Sequence, residues 1–336
     1  MKIPAPEKTP SGYYRIRMRL GGKNVVITGA TAAECRREAT VVKSEHITGR
    51  VVQKKCNLTL SSAIDNYIAN RPRLSPSTVR GYKSIQKNLF TPVMMQKLDE
   101  INWQKVIDDD DHAPKTIHNA WGFIASVYKD NDMLPPKVRL PAKISNERAF
   151  LQPEQIPTFL DAIHGQNCEI AALLGLHSLR RSEILDVTYG DVDLKSNIIH
   201  VRGAAVVDEN NNVVHKKTNK NATSTRDVPI MIPRLAELIA QNKGKKTDYL
   251  VTCHPNTIWR EVNTICRKND LPEIGCHGLR HSFVSLAYHL KWSEIATMKV
   301  AGYADYGTMR KIYTHLADAD KKANVNSMKD FYALTK

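Results

Sequence analysis

His177-Ser178-Leu179-Arg180-Arg181-Ser182-Glu183-Ile184-Leu185, His277-Gly278-Leu279-Arg280-His281 and Ile312-Tyr313-Thr314-His315 are three short stretches in the second half of a 336-residue chain. In the first, Glu183 lies one helical turn beyond Arg180, so its carboxylate can orient the guanidinium. In the second, His277 and Arg280 have the same spacing, which on a helix gives them a common face. The third sets a tyrosine hydroxyl beside a histidine. Taken singly, each has an ordinary reading: a surface Arg–Glu pair, a structural histidine, and a packing tyrosine among the 12 in the chain. Arg181 and His281 keep that ordinary reading, as a solvated and a structural residue.

In this order, with a lysine-bearing polar loop between the first two, the stretches resemble the catalytic boxes of the tyrosine recombinases, the phage integrase family. The resemblance covers residues 150–336 well and the upstream half more loosely. It implies DNA cutting and rejoining through a phosphotyrosine, with no metal, no ATP and no other cofactor. Such chemistry needs a tyrosine that loses its proton although its free pKa is about 10. It needs cations on the non-bridging oxygens of the transition state, a proton for the leaving 5′ oxygen, and in-line geometry.

The resemblance assigns those parts residue by residue. Arg180 matches the first family arginine, in a Leu-Arg-x-x-Glu box expected on a helix. Arg280 matches the second. A planar guanidinium grips phosphate oxygens in pairs and stays charged, which a lysine does less well. His277 would accept or relay the tyrosine proton, and Tyr313 matches the nucleophile. The family lysine lies on a β-hairpin before a Ser-x-Arg and a short apolar strand, here Ser224-Thr225-Arg226-Asp227-Val228-Pro229-Ile230. The usual spacing reaches Lys220, as general acid, with Lys216 and Lys217 as alternatives. Two positions depart from the pattern. His177-Ser178 stands where the family has Thr-Gly. Gly302-Tyr303 stands where it has Gly-His or Gly-Trp, so Tyr303 is both a candidate phosphate donor and a candidate false nucleophile.

Bulk properties agree with a polyanion partner. Lys and Arg number 49 against 34 Asp and Glu, a net charge of +15, with a pI near 9.5. The length calls for two or three domains. Hydrophobic content of 42% fits a soluble folded chain. No apolar run approaches a membrane span, and the N-terminus lacks a signal peptide, so a cytoplasmic, nucleoid-associated location in a bacterial host is expected. Cys35, Cys56, Cys168, Cys253, Cys266 and Cys276 are scattered and read as free thiols. Cys253-His254 and Cys276-His277 lack the paired spacing of a zinc site.

Upstream, Tyr14, Ile16, Met18 and Leu20 alternate with Arg15, Arg17 and Arg19. Period two puts three guanidiniums on one strand face. Gly21-Gly22 makes a turn, residues 24–28 return, and Thr31 with Glu34 starts a helix to about His46. Residues 1–56 carry 12 Lys and Arg against 4 Asp and Glu, a net +8. A basic sheet backed by a helix can enter a DNA groove, and residues 1–52 resemble the arm-site-binding domain of lambda-type integrases. Residues 57–138 read as all helix and resemble the core-binding domain, including the phrase Ser75-Pro76-Ser77-Thr78-Val79-Arg80-Gly81-Tyr82. Arg80, Lys83 and Lys87 take its polar side, Arg80 and Lys83 being the candidate DNA contacts. Asp108 to Asp111 reads as a solvated loop or helix start. Pro135-Pro136 and residues 141–148 read as a linker. The catalytic domain follows over 150–336, with strands at 197–203, 213–216 and 225–230 and helices from Pro233.

The fold class is therefore α+β, mostly α, with a small antiparallel sheet in the catalytic domain. The resemblance implies site-specific recombination for a phage or mobile element: a homotetramer on double-stranded DNA attachment sites, passing through a Holliday junction. An excisionase and a host DNA-bending protein are its expected accessory partners. A type IB topoisomerase, a resolvase and a non-catalytic DNA-binding regulator are the competing readings.

Overall fold

The computed structural model describes residues 3–10, 12–20, 23–48, 57–143, 149–216, 225–242 and 244–303, with a few positions beyond 305. The Gly21-Gly22 turn, Lys217, Lys220, Ser224 and Tyr313 lie outside the described residues. The chain packs as two compact units, one of Met1–Leu74 and Gly81–Ile144, the other of Ser75–Arg80 and Ser145–Lys336.

In the first unit, strands β1 (Glu7–Lys8), β2 (Tyr14–Leu20) and β3 (Lys23–Gly29) form an antiparallel sheet in that order. Helix α1 (Ala32–Thr48) covers one face, where Ile16 and Ile27 are buried with Cys35 and Ala39. Period two then sends Arg15, Arg17 and Arg19 to the other face, opposite Thr28, Val26 and Asn24. Arg17 and Arg19 are exposed and Arg15 half-buried. Strand β1 was not expected: two exposed charged residues carry no apolar pattern. It sets Glu7 opposite Arg15, on the arginine face. Helix α1 starts as its sequence suggests, with Glu34 N donating to Thr31 Oγ1 (3.2 Å). The Glu34 carboxylate accepts from Ala30 N (2.9 Å), the residue before the N-cap, rather than from Thr31 N as in the standard capping box.

The rest of that unit is helical: α2 (Leu60–Ala69), α3 (Pro76–Asn88) from Gly81 onward, its start through Arg80 belonging to the other unit, a short 3₁₀ turn at Thr91–Val93, α4 (Trp103–Asp108) and α5 (Pro114–Asp130). Its core gathers Leu60, Ile64, Trp103, Ile117, Ile124 and Tyr128. Trp103 Nε1 donates to the Tyr128 hydroxyl (2.6 Å), which donates on to Leu98 O (2.5 Å), so both buried polar groups are satisfied. The acidic run closes α4 rather than opening a helix. The start of the linker is pinned: Arg139 N donates to Gln104 Oε1 (2.8 Å), and Val138 and Leu140 pack on the helical core.

In the second unit, α6 (Gln155–Ile163), α7 (Glu169–Leu176) and α8 (Arg181–Ile184) precede strands β4 (Val192–Asp193), β5 (Ile198–Val201), β6 (Ala204–Val207), β7 (Val213–Lys216) and β8 (Arg226–Pro229). Helices α9 (Pro233–Gln241), α10 (Pro255–Lys268), α11 (Cys276–His289) and α12 (Glu294–Ala301) follow. The single sheet expected here is two: β4-β5-β8 and the separate hairpin β6-β7. The two part between Val201 and Ala204, and Asp208 turns the hairpin, its Oδ1 accepting from Asn210 N (3.0 Å) and Asn212 N (2.7 Å). The core is built on α7, buried along most of its length. A Cβ on Gly175 would stand 2.9 Å from Leu279 Cδ1, so α7 and α11 meet at a glycine. That close approach sets the loop after α7 beside the first turns of α11. Among the described residues, no helix is long and apolar enough to cross a membrane.

Candidate active site

Helix α7 ends at Leu176, and the chain turns sharply through His177 and Ser178. His177 is fully buried. Its Nε2 accepts from Met231 N (2.9 Å), so Nδ1 carries the proton and donates to Leu173 O (2.7 Å). Burial pushes its pKa down, against the Leu173 bond, and keeps the ring neutral. Ser178 follows with φ +67°, in the left-handed region. This turns its carbonyl inward, where Arg280 Nη1 (2.6 Å) and Arg226 Nη2 (3.3 Å) both donate to it. The Ser178 hydroxyl is buried without a hydrogen-bond partner among the described residues.

Arg180 was expected on a helix. It is instead the N-cap of α8, with extended backbone. The cap is completed from the helix side: Glu183 Oε2 accepts from Arg180 N (2.7 Å), while Oε1 accepts from Arg180 Nη1 (2.6 Å). An extended cap residue projects its guanidinium past the end of the helix rather than along it. Arg180 Nη2 reaches the Gly302 carbonyl.

Glu183 is buried and serves a second arginine as well. Arg226, first residue of β8, donates through Nη1 to Oε1 (3.0 Å) and through Nη2 to Oε2 (2.9 Å). Burial works against the Glu183 charge. The hydrogen bonds and charge of Arg226, with those of Arg180, outweigh it and hold the carboxyl below its ordinary range.

Arg280, on α11, is 4% exposed. Burial lowers its pKa, Tyr303 opposes that, and the charge of Arg180 adds to it. The Tyr303 ring lies 4.3 Å from its guanidinium carbon. Its Nη2 is buried without a hydrogen-bond partner among the described residues. Tyr303 is held there by the end of α12: Gly302 takes φ +65°, Gly302 N donates to Lys299 O (3.3 Å) and Tyr303 N to Met298 O (3.2 Å). A Cβ on Gly302 would stand 2.9 Å from Arg226 Cδ.

Arg180, Arg280 and Tyr303 thus come together, with Arg226 and Glu183. His277 is exposed at the start of α11, in a cleft of about 460 Å³ shared with Arg181, Trp259 and Cys276. Lys216 ends β7, opposite Ala204. The hairpin is tied down one residue earlier, where His215 Nδ1 meets Asp186 Oδ1 (2.8 Å) and its ring stacks on Tyr249. In the helical part, Lys83 is matched by Asp65 (2.6 Å), and Arg80 sits half-buried on α3. Among the described residues, no group of three or more His, Cys, Asp or Glu is placed to hold a metal.

The model of the phage integrase family matches residues 149–320, just over half of the chain. The chain belongs to the phage integrase family. It is 25% identical over 288 residues to the integrase of Staphylococcus phage L54a, spanning 70% of this chain and 80% of that one. It is 28% identical over 183 residues to the tyrosine recombinase XerA of Saccharolobus solfataricus, spanning 54% and 55%. The fold is that of the Tn1549 transposon integrase, solved with transposon right end DNA (TM-score 0.63, 16% identity, 81% of this chain and all of that one). It is also that of a lambda integrase dimer on a COC′ core site (TM-score 0.55, 15% identity, 93% and 95%). This integrase is a site-specific tyrosine recombinase, an enzyme that cleaves and rejoins DNA. The expected His177-Ser178 departure has a conformation: Ser178 stands in the left-handed region, which glycine adopts most readily. Reasoning from sequence missed the convergence of Arg226 on Glu183. The Ser-x-Arg match pointed at that arginine without saying what it would meet.

Proposed function

We propose that this integrase recombines double-stranded attachment sites for a phage or other mobile element, with Tyr313 as nucleophile. The observation that carries this reading is the largely buried charge gathered around Glu183 and Ser178. Among the described residues, Arg180, Arg226 and Arg280 contribute three positive charges and Glu183 one negative, a surplus of +2 with a donor on Arg280 that has no partner there. Such a surplus is costly in a desolvated place unless an anion completes it. A phosphodiester approaching pentacoordination supplies that anion, and the cluster then stabilises the transition state more than the ground state.

The Tyr313 oxygen attacks phosphorus, and the bond to the 5′ oxygen breaks. Lys220, with Lys216 and Lys217 as alternatives, gives that oxygen its proton, and His277 takes up the proton of the tyrosine. Tyr303 packs beneath Arg280 and can donate to the phosphate. A 5′ hydroxyl of the partner strand then attacks the 3′-phosphotyrosine and restores the tyrosine, so no bond energy is lost to water. Residues 57–138, with Arg80 and Lys83, would grip the core site. Residues 1–52, through Arg15, Arg17 and Arg19, would hold distant arm sites. Lambda integrase has been solved as a tetramer on a Holliday junction, and a DNA-bound homotetramer is the assembly expected here. An excisionase and a host DNA-bending protein would set its direction, and the host nucleoid is its expected location.

A suicide substrate carrying the attachment site tests the reading. Tyr313→Phe should bind the site and form no covalent adduct, because only the nucleophilic oxygen is lost. Tyr303→Phe should still form it, and EDTA should leave the wild-type rate unchanged. Adduct formation by Tyr313→Phe with loss in Tyr303→Phe would move the nucleophile to Tyr303. Loss in EDTA, restored by magnesium, would overturn the metal-free mechanism.

A further inference from the structure

We propose that Arg226 is a positioning residue for DNA cleavage, setting both phosphate-binding arginines while touching no substrate itself. The inference rests on the reading of Arg180 and Arg280 as the phosphate clamp. Arg226 is nearly buried, 7% exposed at its side chain. Among the described residues its donors reach Glu183 on α8, the Ser178 carbonyl in the loop after α7 (3.3 Å), and the Val300 carbonyl on α12, where Nε donates at 2.8 Å.

Each of those groups is tied to the clamp. The Glu183 carboxylate that Arg226 holds by both oxygens also accepts from the Arg180 side chain and backbone. The Ser178 carbonyl also receives Arg280 Nη1. Val300 stands two residues before Gly302, whose carbonyl holds Arg180 and whose neighbour Tyr303 lies under Arg280. Arg226 therefore fixes, in one planar group, the acceptor for one clamp arginine, the acceptor for the other, and the helix end that both touch. Its guanidinium lies flush against that helix end, since Cδ, Nε and Cζ would all stand 2.9 Å from a Cβ on Gly302. The fork is what the place requires. A lysine keeps the charge but presents one nitrogen, which cannot span a two-oxygen carboxylate and two carbonyls on opposite sides. Displacing a clamp by about an ångström is enough to cost roughly 100-fold in rate.

The test compares Arg226→Lys with wild type on two suicide substrates at saturating DNA. One is the ordinary phosphodiester. In the other a methyl group replaces one non-bridging oxygen and removes the charge that the clamp neutralises. Arg226→Lys should bind the site within about twofold of wild type yet cleave the phosphodiester at least about tenfold more slowly. On the methylphosphonate the deficit should shrink severalfold, because a misplaced cation matters less to a neutral centre. Equal deficits on both substrates would mean a general structural defect and would overturn the inference, as would unchanged cleavage of the phosphodiester. Gly302→Ala provides a second route should Arg226→Lys not fold. It pushes the Arg226 guanidinium aside without removing it, and it should show the same unequal deficits. Equal deficits there overturn the inference too. A wild-type chain that forms no Tyr313 adduct on either substrate overturns the functional reading and this inference with it. With an active wild type, the deficits of Arg226→Lys bear on Arg226, and those of Gly302→Ala on the helix end that Arg226 packs against.

Discussion

Arg15, Arg17 and Arg19 lie side by side on one strand, while Arg180, Arg226 and Arg280 come from a helix cap, a strand and a helix spread over the second half of the chain. The first set is largely exposed. Its charges are hydrated, screened by salt, and close to independent of one another. The second, with Arg226 and Arg280 nearly buried and Arg180 half-buried, gathers around one carboxylate and one carbonyl, where each charge depends on the others. An exposed triad can offer its charges to any phosphate that passes. A buried one has its geometry fixed before a phosphate arrives, which is what differential binding of a transition state demands. Substitutions should therefore act through different observables: folding and cleavage rate for the buried set, salt dependence for the exposed one.

Glu183→Gln strikes hardest at the buried set. The amide keeps the shape but replaces one acceptor by a donor facing guanidiniums, and it leaves three cations with no anion. Breaking a buried pair in this way costs about 3–5 kcal/mol, to be read by thermal or urea unfolding. The sign of the pH effect follows from the lowered carboxyl. Folded Glu183 titrates below its ordinary value of 4.5. Its stabilisation is thus present above about 4.5 and fades as pH falls toward the folded value. The variant should be less stable at neutral pH and lose less on further acidification than wild type. Parallel acid limbs for the two proteins would show that the carboxylate does not hold the cluster together.

Ser178→Gly separates geometry from charge inside the same site. Serine at φ +67° carries a conformational cost that glycine lacks, and its buried hydroxyl has no partner among the described residues. Removing both should stabilise the fold by about 1 kcal/mol, with cleavage kept, since the carbonyl that Arg280 and Arg226 use stays in place. A destabilised variant would mean that the hydroxyl is satisfied by a group that the described residues do not include.

The two arginine sets also differ in how far the sequence could reveal them. The strand face of Arg15, Arg17 and Arg19 follows from period two within seven residues, and the structure has it in the expected register with β3. The capping of α1 by Thr31 and Glu34 was equally local. The buried set was reachable only by resemblance. Nothing in the spacing of residues 178, 183, 226 and 302 says that they meet, because their convergence is made by α7 packing on α11 at Gly175 and by the left-handed end of α12. The split of one expected sheet into two had a similar cause. The His215–Asp186 tie holds the hairpin to a residue just after α8, far away in sequence. Strand β1 stayed hidden because two exposed charged residues have no periodicity to read.

The smallest expected effect falls on the exposed set. Arg17 projects from the middle of β2 opposite Val26, on the face away from α1. Arg17→Ala removes no buried contact, so stability should stay within about 0.5 kcal/mol of wild type. Its consequence should appear in DNA binding. If Arg17 meets a phosphate, its loss should lower the slope of log affinity against log salt by about 0.9, one counterion's worth, for full attachment-site DNA. Binding to an isolated core site should not change. Arg15 should behave differently from Arg17, because it is half-buried and β1 places the acidic Glu7 in register with it. Arg15→Ala should then lower the slope by less, and Glu7→Gln alone should raise it. Salt titrations of these three variants on full and core-only DNA would rank the guanidiniums of the strand one by one. Equal slopes for Arg17→Ala and wild type on full-site DNA would reduce this face to a solvated surface and leave the proposed phosphate clamp of Arg180 and Arg280 as the DNA-facing pair among the arginines compared.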